Sequence, residues 1–76
     1  MQKYYFNVPD LEPSVDEHGE EFPDDSAAWK QATMFAGELL KDLDGKFLPG
    51  QEFSVEVTDL QKRILYRIRI ISSRVD

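Results

Sequence analysis

Two stretches near the end of the chain alternate apolar and polar residues, and they constrain the fold more than any other feature. The apolar members are Phe53, Val55 and Val57 in the first stretch and Ile64, Tyr66, Ile68 and Ile70 in the second. This period of two predicts two half-buried strands. A hairpin loop centred on Gln61 and Lys62 gives both apolar sets the same face. Its register pairs Val57 with Tyr66, Val55 with Ile68, Phe53 with Ile70 and, on the other face, Glu56 with Arg67.

The rest of the chain predicts two more strands and one helix. Residues 3–8 are rich in β-favouring aromatic residues and end at a proline, which is typical of a strand. A tight turn with Gly19 at positive φ follows, and then a short strand at residues 20–22. We expect Asp24 to cap a helix that runs to about Leu43, because alanine and leucine recur there at spacings of three and four.

The predicted fold is α+β, with a single helix packed on one face of a mostly antiparallel sheet of about four strands, in the order β-β-α-β-β. Residues 1–76 form a single small domain, since a chain of this length supplies one core. Two strand orders stay open. The order 2-1-3-4 is wholly antiparallel, whereas 2-1-4-3 places the very apolar last strand in the centre and makes it parallel to the first.

Charge is divided unevenly along the chain. Residues 1–59 carry 14 acidic and 4 basic side chains, whereas residues 60–76 carry 1 acidic and 5 basic side chains. The net charge of −6 disfavours general binding to nucleic acid or to anionic membranes. The start lacks the pattern of a secretion signal, and no stretch approaches the roughly 20 apolar residues of a membrane span. We therefore expect a cytoplasmic protein without membrane contact.

The sequence does not predict catalysis or metal binding. It has no cysteine, which excludes disulfides and thiolate metal sites. Its single histidine, His18, lies in an acid-rich turn, and we interpret it as an exposed residue. The acidic stretch at residues 10–25 fits no calcium-loop spacing. Nothing pairs a nucleophile with a base, so we expect a non-enzyme with no catalytic residues, no cofactor and no metal site.

The sheet face turned away from the helix is the candidate interaction face. The residues expected there include Tyr5, Asn7, Glu56, Leu65, Arg67 and Arg69. A mixture of tyrosine, aliphatic residues and arginine suits either a solvated sheet face or a protein interface. Trp29 lies at the margin of the apolar stripe of the helix, where it either packs at the edge of the core or anchors an interface.

Several short motifs together resemble a known family. They are Tyr4-Tyr5-Phe6, the acid-rich turn at Gly19, Glu21-Phe22-Pro23-Asp24 before an alanine-rich helix ending in Leu39-Leu40, and Val57-Thr58-Asp59. Over nearly its whole length the chain is similar to short bacterial proteins, common in rhizobia and relatives, classed as domain of unknown function 6894. The resemblance implies the fold and brings no activity, cofactor or ligand. The chain departs from the family at Asn7, Lys62 and Trp29, where histidine, glycine and arginine are frequent.

These observations favour a small non-enzymatic interaction module. It would bind an unidentified protein partner, or a second copy of itself, through its open sheet face or an edge strand. One alternative is weak nucleic-acid contact through the basic last strand, although the acidic majority disfavours it. The basic residues concerned are Lys62, Arg63, Arg67, Arg69 and Arg74. Another is an antitoxin-like role, since the turn-Phe-Pro-Asp-helix portion is similar to some bacterial antitoxins.

Overall fold

The structure is a computed structural model that describes residues 1–10 and 16–76. In these ranges it has four strands and one helix: β1 (Gln2–Asn7), β2 (Glu20–Phe22), α1 (Asp25–Leu43), β3 (Glu52–Thr58) and β4 (Ile64–Ile71). The predicted α+β class and element order are confirmed. Residues 11–15, which belong to the acidic stretch at residues 10–25, lie outside the described residues.

The sheet has the strand order β2-β1-β3-β4. Each neighbouring pair is antiparallel, so the first of the two orders left open by the sequence is the one adopted. Within the described residues, β2 and β4 are the edges of the sheet. They differ in length, because β2 has 3 residues and β4 has 8.

The β3–β4 hairpin has the predicted register up to a bulge near its loop. The pairs Val57–Tyr66, Val55–Ile68, Phe53–Ile70 and Glu56–Arg67 are all present. Beyond them the register shifts, so that Thr58 lies opposite Ile64 and Leu65 is an extra residue. A bulge of this kind displaces the alternation by one position. Leu65 consequently packs against the core, and its predicted place on the outer face is wrong. Ile64 takes the outward position beside Thr58.

Acidic residues shape both ends of α1. The Asp24 carboxylate accepts a hydrogen bond of 2.9 Å from the backbone N–H three residues later, which confirms the predicted N-cap. Asp25 accepts a hydrogen bond of 2.6 Å from the Tyr4 hydroxyl, and this contact ties the start of the helix to β1. The helix ends at Leu43, as predicted, and the left-handed cap that follows is Asp44, with φ 46°.

Small side chains bring α1 close to the sheet. Ala28, Ala32 and Ala36 are all buried on the helix face that packs against the strands. Around them are the buried residues Tyr4, Val8, Phe53, Val55 and Val57. The core therefore lies between α1 and the central strands β1 and β3. The inward residues of β4 are only half-buried, because the helix covers this edge strand in part.

Candidate interaction surface

The outer face of the sheet, opposite α1, carries two ion pairs between β3 and β4. Arg67 Nε donates to Glu56 Oε2 at 2.9 Å, as the cross-strand register predicts. Arg69 Nη2 donates diagonally to Glu52 Oε2 at 3.0 Å. The Arg67 and Arg69 side chains remain 49% and 60% exposed. Exposed pairs of this kind contribute only ~0.2–1 kcal/mol to stability. Because a guanidinium has five N–H donors, both arginines keep donors for a further acceptor.

A groove of about 630 Å³ lies on the outer face where the hairpin loop approaches β1. Its apolar lining comes from Tyr5, Leu60 and Ile64. The charged groups that line it are Asp16, Glu17, Glu56 and Lys62. This excess of negative charge favours a neutral or cationic group over an anion. Of the predicted interaction residues, the groove brings Tyr5, Asn7 and Glu56 together.

Asp16 organises the turn that forms one wall of the groove. Its Oδ1 accepts hydrogen bonds from the backbone N–H groups of His18 and Gly19, at 3.0 and 3.1 Å. Its Oδ2 accepts one from the N–H of Phe6 at 3.2 Å. The N–H of Asp16 donates in turn to Asn7 Oδ1 at 2.8 Å. The two side chains together hold the turn against β1.

The environment of this turn fixes its backbone and its charge. Gly19 has the predicted positive φ, 72°, and a Cβ at this position would lie 2.8 Å from Cε2 of Tyr5. Burial alone would raise the pKa of the Asp16 carboxyl, but the three backbone N–H donors outweigh it and hold that pKa below its usual range. Asp16 is therefore ionised at neutral pH and serves as a structural acceptor.

Trp29 lies on the other side of the sheet, where α1 meets β4. Its ring packs against the ring of Tyr66, with 5.1 Å between centroids and an interplanar angle of 51°. The residue is nevertheless 41% exposed. Trp29 thus packs at the edge of the core and leaves part of its ring exposed, and its role as an interface anchor stays a prediction. It does not join the groove residues in one surface.

β4 forms a long open edge beside Trp29. In the described part of the chain its one strand neighbour is β3, so the other side of its main chain has free hydrogen-bonding groups. Leu40 follows Trp29 by about three helical turns and lies along the same side of α1. Leu40 is 44% exposed and Ile71 is 65% exposed. We call this strand, which includes the exposed Ile71, together with Trp29 and Leu40 of α1, the β4 edge.

The direction of the free groups follows from the end of the hairpin. The N–H and the C=O of Ser72 both bond to the segment before β3, at 3.1 and 2.9 Å. Hydrogen-bonding direction alternates from residue to residue along an antiparallel strand. The N–H and C=O groups of Arg67, Arg69 and Ile71 therefore point to the open side of β4.

The basic residues near the C-terminus are largely paired with carboxylates. In addition to the two pairs on the outer face, Arg63 Nε lies 2.9 Å from Asp59 Oδ2, and Arg74 Nε lies 3.5 Å from Asp76 Oδ1. Hydrogen bonds from Arg63, above all from its backbone N–H, hold the pKa of Asp59 below its usual range. Each pair lowers the net positive charge of the last strand, which disfavours long-range attraction of a phosphate backbone but leaves guanidinium N–H donors for a short-range contact.

The polar residues considered for chemistry differ in their surroundings. His18 is exposed, and its backbone N–H donates to Asp16. The hydroxyl of Ser72 donates to the carbonyl of Leu48 at 2.8 Å. In residues 1–10 and 16–76, no group of three or more His, Cys, Asp or Glu residues is arranged to hold a metal ion.

The family of the chain follows from its sequence. The sequence model of a family described as Domain of unknown function (DUF6894) matches residues 3–72. The chain belongs to this family. Neither a curated protein nor a solved structure matches it significantly.

The structure shows the contacts or backbone of the three positions at which the sequence is expected to depart from the family. Asn7 accepts the N–H of Asp16. Lys62 has φ 67°, so the hairpin loop contains a non-glycine residue in the left-handed region. Trp29 makes an aromatic contact with Tyr66. No helix among the described residues of this DUF6894 protein has both the length and the apolar character of a membrane span.

Sequence reasoning missed some residues of the groove. The apolar alternation predicts that Ile64 faces inward, and this is wrong because the bulge at Leu65 turns it outward. The position of Leu60 depends on the hairpin loop. The sequence analysis does not identify Asp16 as the acceptor that shapes the wall. Its signal is available in the sequence, since an aspartate three residues before a glycine is typical of a turn in which the carboxylate accepts backbone N–H groups.

Proposed function

We propose that this DUF6894 protein is a small non-enzymatic interaction module that binds another protein chain along the β4 side of its sheet. The observation that carries the proposal is the β4 edge, an eight-residue strand whose one strand neighbour among residues 1–10 and 16–76 is β3. From Tyr66 to Ile71 it has no proline, and its inward row has no charged residue. Natural edge strands use proline, inward-pointing charges, bulges and exposed charges to prevent pairing. Residues 66–71 lack the first two, and the exposed arginines that they carry restrict which further strand can pair.

Exposed apolar surface supports the same proposal. Trp29 packs against Tyr66 of β4, and Leu40 lies on the same side of α1 as Trp29. Ile71 belongs to the outer row of β4, and all three side chains remain accessible to solvent. A domain of 76 residues buries a smaller share of its surface than a larger one does. A second chain at this edge would cover these side chains and complete the shielding of the inward row. An antitoxin-like role is one form of this proposal, in which the partner is a toxin.

The polar groups of the groove favour binding over catalysis. Asp16 is held by three backbone N–H donors and Glu56 by Arg67. A general acid or base needs a pKa near the working pH and a free position from which to transfer a proton. The lowered pKa of Asp16 is opposite to what a general acid requires.

Capture of a partner from a lysate of the source cells tests the proposal when wild type is compared with Arg69→Pro. Proline at this position removes an N–H that points to the open side and leaves the main-chain bonds to β3 in place, although it also removes the ion pair with Glu52. A protein retained by wild type and lost with Arg69→Pro supports the proposal. Light scattering during size-exclusion chromatography tests binding of a second copy in the same two proteins. A monomer at high concentration, together with no difference in capture, would refute the proposal.

A further inference from the structure

The β4 edge presents different chemistry on the two faces of the sheet. On the outer face it displays the guanidinium groups of Arg67 and Arg69. On the inner face it displays half-buried aromatic and aliphatic side chains, namely Tyr66, Ile68 and Ile70. An added strand places its side chains alternately on these two faces. The strand that fits must therefore alternate groups that suit arginine with groups that suit an apolar surface.

β3 shows which side chains satisfy these two rows. It pairs with the other side of β4 and has the sequence EFSVEVT. Its phenylalanine and valines face inward and are buried, whereas Glu52 and Glu56 accept hydrogen bonds from the arginines. A strand on the open side meets the same two rows of side chains. The unused guanidinium donors allow each arginine to bind a second carboxylate.

We infer that the β4 edge binds an extended segment of a partner protein in which apolar residues alternate with Asp or Glu. The inference rests on the proposed function and specifies the chemistry of the partner. Main-chain bonds to Arg67, Arg69 and Ile71 hold the segment as a fifth strand. Its carboxylates pair with the arginines, and its apolar side chains cover Trp29 and Leu40.

A second copy of β4 fits this edge less well than an acidic segment. Antiparallel pairing of β4 with itself around its middle places Arg67 opposite Arg69 of the other copy, or one of the two arginines opposite its own counterpart. Like charges directly opposite each other destabilise a strand pair. The carboxylates of Glu52 and Glu56 already serve the arginines of their own chain. The charge of this edge therefore favours a different, acidic chain.

A peptide that copies residues 52–58 and is capped at both ends is the probe. The matched control is the same peptide with lysine at both glutamate positions, which keeps the apolar alternation and reverses the charge. Each is added to the full, isotope-labelled chain, and amide hydrogen exchange is followed residue by residue by NMR. Fluorescence of Trp29, the single tryptophan of the chain, reports occupancy independently.

The inference gives a residue-specific expectation. Exchange of the outward amides of Arg67, Arg69 and Ile71 slows by about tenfold when the acidic peptide is present at ten times its Kd. Exchange of the Ile68 and Ile70 amides changes less, because these already bond to β3. The lysine peptide produces no such protection, and the effect of the acidic peptide weakens as salt is raised. Arg69→Ala, which keeps the amide and removes the charge, binds the acidic peptide more weakly than wild type.

Equal protection by the acidic and the lysine peptides would overturn the inference, as would protection of Ile68 and Ile70 alone. Absence of protection by either peptide would also overturn it. In that case a partner captured by wild type and lost with Arg69→Pro would still support the proposed function, so the two failures are distinguishable. If Arg69→Pro does not fold, Ile71→Pro tests the same outward row near the end of the strand. Self-pairing, seen as a dimer that the acidic peptide does not dissociate, would overturn the choice of partner.

Discussion

Removal of the Asp16 carboxylate should destabilise the fold, because this group is the shared acceptor of three backbone N–H groups. A hydrogen bond to a charged group contributes about 1.5–3 kcal/mol when it is well buried. The turn is half-buried, so water replaces part of each bond, and we expect Asp16→Ala to lower the free energy of unfolding by ~2 kcal/mol in total. For a domain of this size that corresponds to a decrease in Tm of about 8–16 °C. Asp16→Asn keeps one carbonyl acceptor and should lose ~1 kcal/mol.

The stability lost on substitution of Asp16 should become smaller as pH falls. The pKa of Asp16 is lower in the folded chain than its ordinary value of 3.8. A carboxyl with a lowered folded pKa stabilises the fold fully above its unfolded pKa, and this stabilisation is lost as pH falls through the folded value. The stability difference between wild type and Asp16→Asn should thus be constant near neutral pH and shrink below pH 3.8.

Urea unfolding followed by circular dichroism, repeated across this pH range, measures both effects. Glu38→Gln is the matched control, because Glu38 is exposed on α1 and the substitution also removes one negative charge. The control should change stability by less than about 0.5 kcal/mol. Two results would refute the reasoning. One is an Asp16→Ala protein that is as stable as wild type. The other is a stability difference between wild type and Asp16→Asn that is the same in acid and at neutral pH.

Three further substitutions test other parts of the structure. The hydrogen bond to Asp25 and, to a lesser extent, burial raise the pKa of Tyr4 to about 12. An alkaline absorbance titration should therefore show one phenol that ionises near this pH. That phenol should be absent from the titration of Tyr4→Phe. Ionisation of every tyrosine below about pH 11 would contradict this. Ala32→Leu should overpack the helix–sheet contact and cost ~1–3 kcal/mol in urea unfolding, whereas Thr33→Leu on the exposed side should cost little. Lys62→Gly should raise the free energy of unfolding by ~1 kcal/mol, because it removes left-handed strain. Lys62→Ala should not raise it. Equal stability of these two variants would exclude strain at this position.

Much of the fold could be predicted because local signals in this chain agree with one another. The alternation in residues 53–58 and 64–71 requires one register, and the structure has that register for the pairs around Ile68. Asp24 was recognisable as a cap because it precedes an apolar stripe of helical period. Each of these features depends on residues close in sequence or on a face that must be buried, which is why the sequence alone predicts them.

The bulge at Leu65 could not be predicted from the same patterns. Ile64 and Leu65 are both large aliphatic residues, so exchanging their faces leaves the apolar pattern of β4 unchanged. The cause of the shift lies in the loop, where Asp59 Oδ1 accepts the N–H groups of Gln61 and Arg63 at 2.9 Å each. These bonds fix a loop geometry that the strand pattern does not encode. The position of Ile64 in the groove therefore required the structure.

The sequence also leaves the position of β4 in the sheet undetermined. The proposed function rests on the difference between its apolar composition and its position at an edge. Its apolar residues are typical of a central strand, which is why an order with β4 in the middle was reasonable. The structure places it at an edge, with inward side chains half-buried and one side of the main chain unpaired. An added strand removes this discrepancy, because β4 then has a neighbour on both sides. The arginines on its outer face make an acidic strand the one that fits best.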